Sequence, residues 1–193
     1  MTEPVVADEA EILGDLAELE QFVEGVELSQ TDDLSRSFLA AATLAVRNYC
    51  GWHVFPVKER TIVEDGSGAT ELILPTLRVV EITAITENGV ALIPEIDFEW
   101  SQMGMVRRSY GAWTNRYRSI SVSLRDGYSH ADDLVLTIYA LAARAASSPS
   151  GAVADNAGPF TFSAAQLSAG SGGGLGLFAH EQAILDVYRL PSI

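Results

Sequence analysis

TDDLSRSFLAAATLAVRNYCGWHVFP, residues 31–56, reads as one amphipathic helix that passes directly into a strand. Thr31 is placed to cap the first turn, and Asp32 and Asp33 set negative charge at the positive end of the helix dipole. Leu34, Phe38, Ala41, Ala45 and Tyr49 recur at steps of three and four and make one apolar stripe, with Arg36 and Arg47 off it. Gly51 stands where a left-handed residue closes a helix. Trp52, Val54 and Phe55 then continue as extended chain, and Pro56 bars a return to helix.

Upstream, residues 1–30 carry many carboxylates and no Lys or Arg. Ile12, Leu13, Leu16, Leu19, Phe22 and Val23 are spaced for a helix, with Gly25 as its stop. The acidic run is most simply a solvated helix face. Downstream the period changes from helical to alternating. Lys58–Glu64, Thr70–Leu74 and Arg78–Glu87 read as strands, with a turn at Asp65-Gly66. Asn88-Gly89 is a type I′ hairpin signal, because both residues tolerate positive φ. Ile96, Phe98 and Trp100 alternate with Glu95, Asp97 and Glu99, which predicts a half-buried strand with an acidic outer face. Ile120, Val122 and Leu124 form a last strand. The expectation is a run of β-hairpins with five to six strands.

Ser129 and Asp132 suit a capping box for another helix, striped by Leu134, Ile138, Leu141, Ala142 and Ala145. Residues 152–176 carry few structural signals beyond a short strand at GPFTFS and a glycine tract at 170–176. Phe178–Arg189 is a final helix. Lying behind a long loose tract, it is easier to place on another chain than in its own core.

The formal charge is −14 over 193 residues, which opposes binding to a nucleic-acid backbone. The single cysteine, Cys50, forms no internal disulfide and fits a reducing cytoplasm. No apolar run reaches the ~20 residues of a membrane span, and the start of the chain lacks the basic region of a signal peptide. His53, His130 and His180 have no ligand spacing, no serine sits in a nucleophile elbow, and the glycine tract lacks the Lys-Ser/Thr of a phosphate loop. No catalytic residue, metal or cofactor is therefore expected. One basic cluster, Arg107, Arg108, Arg116 and Arg118, is interleaved with Tyr110, Trp113 and Tyr117. It is read as a contact with acidic residues of this chain or of a neighbouring copy rather than with nucleic acid.

In order and spacing, several segments resemble the head-to-tail adaptor (connector) proteins of long-tailed bacteriophages, particularly those of actinobacterial hosts. They are LAAATLAVRNYCGWHVFP, ELILPTLRVVEITAITENGVAL, SVSLRDGYSHADDL, GPFTFS and HEQAILDVYRLP. The acidic start departs from that pattern. The resemblance implies a non-enzymatic virion protein in the neck, made in the host cytoplasm. It implies a twelvefold ring that joins the portal to a stopper, head-completion or tail-terminator ring, while genomic DNA passes through without specific binding. It also implies portal contact through the C-terminal arm, here Phe160, Phe162, Phe178, Ile184, Leu185, Tyr188 and Leu190. Arg107, Arg108, Trp113, Arg116 and Arg118 are expected at contacts between subunits or with a partner. Glu95, Asp97 and Glu99 are expected on an acidic channel or surface.

The fold class expected is α+β: a small helical bundle with an inserted antiparallel β-hairpin region and an extended C-terminal arm ending in a helix. The divisions expected are an acidic arm and helix at 1–30, a helix–β–helix core at 31–148, and the arm at 149–193. The alternatives are a stopper or tail-terminator protein and, from another class, a cytosolic β-rich binding module.

Overall fold

The computed structural model describes residues 12–22, 33–147, 154–157, 160–163 and 175–191, with backbone alone for 154–157 and 160–163. Among the described residues, four helices and nine strands make an α+β fold. The chain divides into two compact units: Met1–Tyr49 with Asp132–Val187, and Cys50–Ala131 with Tyr188–Ile193. Segments distant in sequence close each unit, so its boundaries do not run in simple chain order.

The first unit is helical. It holds α1 (Leu16–Phe22), α2 (Asp33–Cys50), α3 (Asp132–Ser147), a hairpin of β8 (Ala154–Ala157) with β9 (Phe160–Ser163), and α4 (Ala179–Leu185). A 3₁₀ turn, Asp186–Tyr188, follows α4. Thr31, Asp32, Val23 and Gly25 lie outside the described residues. α1 begins later than its apolar spacing predicts, because Gly14 takes φ +93° and Asp15 starts the helix by accepting the Ala17 N–H at 2.7 Å. Leu19 is its buried residue, and Leu13, just ahead of the helix, is buried as well.

α2 departs from expectation by one residue. Its buried side is Ser35, Leu39, Ala42, Thr43, Val46 and Cys50, whereas Leu34 is 57% exposed and Phe38, Ala41, Ala45 and Tyr49 are half-buried. The two stripes lie about 100° apart on the helix, and alanine satisfies either. Thr43 bonds inside the chain instead of to water: its hydroxyl donates to the Leu39 carbonyl and accepts the Leu13 N–H. α3 matches its predicted stripe, with Leu134, Ile138, Leu141, Ala142 and Ala145 all buried. Its first helical residue is Asp132, so Ala131 and not Ser129 stands at the cap position.

The second unit is a pair of antiparallel sheets, ordered β1-β7-β3-β4 and β2-β6-β5. Gly51 has the predicted left-handed φ, +82°, but no strand follows at once. Val54 is at φ +61°, outside the extended region, and β1 starts only at Lys58. The strands are β1 (Lys58–Glu64), β2 (Glu71–Ile73), β3 (Val79–Glu87), β4 (Val90–Leu92), β5 (Phe98–Trp100), β6 (Met105–Arg108) and β7 (Ile120–Asp126).

Seven strands replace the expected five to six, and three of their five pairings join strands that are not neighbours in sequence. β1 pairs β7 from Lys58↔Asp126 to Glu64↔Ile120, and β2 pairs β6, so the Asp65-Gly66 turn joins two sheets rather than closing a hairpin. The Asn88-Gly89 turn does close one, at φ +52° and +80°, with Glu87 opposite Val90. β3 buries Val79, Ile82 and Ile85, a period of three where a plain strand has two. Register shifts between Val79 and Glu81 and between Ile82 and Ala84 re-aim each of these residues inward. Ile96, read as a strand position, is 59% exposed in a turn before β5. An apolar cluster packs between the strands, including Leu72, Leu74, Phe98, Val106, Trp113, Ile120, Val122 and Leu124.

Candidate assembly surfaces

The basic cluster does not stay together. Arg108 lies over the Trp113 ring at 5.4 Å from its centroid, with Glu87 at 3.5 Å. Trp113 is 2% exposed, so the expectation that it meets another subunit is corrected: it is a core residue of its own chain. Its ring carries apolar area that the cluster needs, and the Arg108 stem covers it. Arg107 is exposed on β6, opposite Glu71 on one side and Glu99 on the other.

Arg116 and Arg118 belong to a separate loop between Trp113 and β7. Five hydrogen bonds pin that loop. Thr114 N–H donates to Glu87 Oε1 at 2.7 Å, and Arg118 N–H to Asp65 Oδ1 at 2.6 Å. Gly66 N–H donates to the Arg116 carbonyl, and Ser119 Oγ donates to the same carbonyl, each at 2.8 Å. Asn88 N–H donates to the Ser119 carbonyl at 2.7 Å. A Cβ at Gly66 would collide with the Thr114 carbonyl, so glycine is what lets the two loops meet.

The three acidic candidates also divide. Asp97 Oδ2 accepts the Ile93 N–H at 2.8 Å and shapes the turn before β5. Glu95 is exposed at φ +65°, and Glu99 faces Arg107 across the β5–β6 ladder. With Arg107, Arg108 and Tyr110, Glu95 and Glu99 line a concavity of about 560 Å³. This is a mixed-charge surface, not an acidic wall.

The C-terminal candidates bring the largest correction. α4 is not left waiting for another chain, because it packs on α3 of its own chain and Leu185 is fully buried there. Arg144, in the last turn of α3, holds Glu181 of α4 through two bonds of 2.9 and 3.0 Å, donates to the Gly176 carbonyl at 2.8 Å, and lies 4.1 Å from the Phe178 ring centroid. Glu181 in turn accepts the Phe178 N–H at 2.7 Å, the returning half of a capping box. Sequence reasoning missed Arg144. The available signal was a cation at the edge of an alanine-rich buried stripe, where an ion partner is required.

In the second unit, the Tyr188 carbonyl accepts from Trp52 Nε1 at 2.7 Å, Leu190 N–H donates to the Cys50 carbonyl at 2.9 Å, and the Tyr188 ring meets Tyr128 edge-on. Ile184, at 38% exposure, stays open to a partner. The side chains of Phe160 and Phe162 lie outside the described residues.

One buried ionic group has no counterpart in the sequence reading. Asp126 is fully buried and receives Arg60 Nε at 3.0 Å and Nη2 at 2.6 Å, while His53 Nε2 lies 3.1 Å from the Asp126 carbonyl. Burial lowers the His53 pKa, and it outweighs the nearby Asp126 charge that raises it. The phenol of Tyr139 is pushed up by burial, and it joins Asp15 N–H at 2.7 Å to Glu18 Oε2 at 2.8 Å in the helical unit. Among the described residues, no group of three His, Cys, Asp or Glu side chains could hold a metal ion, and no helix is long and apolar enough to cross a membrane.

No curated protein matches the chain in sequence. Among solved structures, a chain from the neck of a native GTA particle, computed with C12 symmetry, is 13% identical. Its TM-score is 0.61, and the match covers 100% of this chain and 97% of that one. A chain from the neck of an empty GTA particle, computed with C6 symmetry, is also 13% identical, with TM-score 0.58 and coverage of 98% and 95%. These likenesses give the fold. The head completion protein (HCP) family profile matches residues 15–143, from the start of α1 through most of α3 and across every strand of both large sheets. Over that span the chain belongs to the head completion protein family, the structural head-to-tail connectors of bacteriophage-type particles.

Proposed function

We propose that this chain is one subunit of a closed homo-oligomeric ring of twelve copies. The ring sits in the particle neck, joins the portal to the next connector or tail ring, and extends the DNA channel without catalysis. The observation that carries this reading is the family match over residues 15–143. The likeness along the whole chain to a subunit of a C12 neck supports it.

The physical chemistry is consistent with assembly. The β unit exposes Val90 and Ile96 at more than half of their area, and Tyr110 and Tyr117 at more than four-fifths. Apolar and aromatic surface of this kind is what interfaces cover. Twelve chains at −14 would put roughly −170 formal charges around a channel, screened beyond about 8–10 Å. A wall of that sign lets a polyanion slide without sticking.

Because α4 is held by its own chain, portal contact by the arm falls to the β8–β9 hairpin and to exposed positions such as Ile184. Deleting residues 152–193 would be a poor test, since it removes Leu185 and Glu181 from their partners on α3. Replacing residues 154–163 with a Gly-Ser linker spares them. The mass of the full chain, alone and mixed with portal, tests the ring. A species of twelve 20.7 kDa chains is expected with portal. A monomer in both mixtures overturns the reading. Loss of portal association in the linker variant, with ring mass kept, assigns portal contact to the hairpin.

A further inference from the structure

The pinned loop at 114–119 displays Arg116, Tyr117 and Arg118 to solvent, with Tyr117 at 88% exposure. The three residues line a concavity of about 380 Å³ together with Val63, Thr86 and Asn88. The polar contact of the Arg116 guanidinium is the Asn88 side-chain oxygen at 3.3 Å, and no acid lies within salt-bridge distance of either arginine among the described residues.

That is unusual in this molecule. Lys and Arg number 12 against 26 Asp and Glu, so cations are scarce. Most others in the β unit face acids. Arg60 binds Asp126, Arg108 faces Glu87, Arg125 lies between Glu59 and Glu81, and Arg107 stands opposite Glu71 and Glu99. A rigid loop that holds two cations around an exposed tyrosine has the composition of a protein-binding hot spot. Its partner must bring carboxylates and some apolar surface. DNA is disfavoured, because two cations per chain on a body of charge −14 neutralise few phosphates.

Many acids of the described residues already have tasks. Glu18 accepts Tyr139, Asp97 holds the Ile93 turn, and Glu181 holds Arg144. The stretch MTEPVVADEAE, residues 1–11, offers Glu3, Asp8, Glu9 and Glu11, no cation, and the apolar run Pro4-Val5-Val6. In a closed ring each subunit meets its neighbour through two unlike surfaces, so a basic patch on one flank calls for an acidic one on the other.

We propose that the Arg116–Tyr117–Arg118 loop docks the acidic stretch 1–11 of a second copy of this chain, with Tyr117 against Pro4-Val5-Val6 and the two guanidinium groups on the flanking carboxylates. This rests on the ring reading and names the contact that would close it.

The test uses the full chain carrying a photo-cross-linking phenylalanine in place of Tyr117, irradiated with portal, with nitrogen-15 and unlabelled copies mixed to identify links between chains. A link from position 117 to residues 1–11 of another copy is expected. Adding Arg116→Glu and Arg118→Glu should lower its yield about tenfold, and further adding Glu3→Lys, Asp8→Lys, Glu9→Lys and Glu11→Lys should restore it. A ring of unchanged mass with no such link, or with the link made elsewhere, overturns this inference and leaves the ring standing. Transfer of the link to a short DNA duplex added in the mixture overturns it in favour of nucleic acid. A monomer with and without portal overturns both readings.

Discussion

In the helical unit, polar side chains join segments that have no backbone ladder between them. Arg144 ties α3 to α4 across 37 residues of sequence, and Tyr139 ties α3 to the start of α1 across more than 120. In the β unit the buried pair Arg60–Asp126 lies on β1 and β7, strands already joined by a seven-residue ladder. The same chemistry therefore serves two ends. Where hydrogen-bonded strands hold the backbone, an ion pair fixes register and fills a polar position. Where only helix faces meet, it decides whether the segment docks.

The sharpest way to break this comparison is to remove one partner from each pair. Asp126→Ala strands Arg60 and removes a fully buried acceptor, and it should cost about 3–5 kcal/mol in a denaturant melt. Loss would be global, because β7 is an inner strand of the four-stranded sheet and pairs with both β1 and β3. Arg144→Met should instead act locally: amide exchange at 179–188 speeds up while protection in β7 and β3 is unchanged. If Asp126→Ala melts like the parent, the pair does not set the β1–β7 register.

Packing provides the next test. Leu185 is fully buried on α4, and Leu185→Ala should cost about 3 kcal/mol, below the upper end for buried leucines because a two-turn helix can settle into the gap. A change within ~0.5 kcal/mol would mean that α4 spends its time off α3, which would restore the idea of an arm awaiting a partner. The bulged strand gives a smaller contrast. Ile82→Ala should cost about 2 kcal/mol and Val80→Ala less than about 0.5, although plain alternation would pair the two on one face. Equal costs would remove the bulge reading.

How much of this was legible depended on how many alternatives each pattern allowed. β7 alternates Ile120, Val122 and Leu124 with serines, and α3 sets bulky residues on one stripe only, so both were read correctly. α2 carries Leu34, Leu39 and Leu44 amid alanines, and a shift of one residue leaves an equally apolar stripe. β3 could not be phased because bulges leave no mark in composition. β6 hides as Met-Val-Arg-Arg, with only Val106 buried. β8 was missed because Ala-Asp-Asn-Ala carries no strand propensity, although its partner at 160–163 was visible. The candidate contacts fared similarly. Trp113 and Arg108 were near the right surface in sequence, but a tryptophan beside arginines does not reveal that it faces the core. Arg116 and Arg118 sit on a loop whose backbone is held by Asp65 and Gly66, a constraint spread over about 50 residues that no local pattern reveals.

The smallest expected effect concerns His53. Its ring is buried, Nδ1 has no hydrogen-bond partner among the described residues, and Arg60 and Lys58 oppose a positive charge while Asp126 favours one. Burial is the largest of these influences, so the folded pKa lies below the ordinary 6.5. The sign follows from proton counting. Between the two values the unfolded chain binds a proton that the folded chain refuses, so stability falls as pH drops below about 6.5 and levels off below the folded value. The contribution is bounded by about 1.4 kcal/mol for each unit of difference. Denaturant midpoints between pH 7 and pH 5 should fall for the parent, and less steeply for His53→Gln, which keeps a donor towards the Asp126 carbonyl and removes the titration. This is the weakest of the contrasts because Asp126 also attracts the protonated ring at 3.8 Å. Parallel slopes for the two proteins would mean that this attraction cancels burial, and that the Arg60–Asp126–His53 group behaves as a neutral, fully compensated part of the ladder.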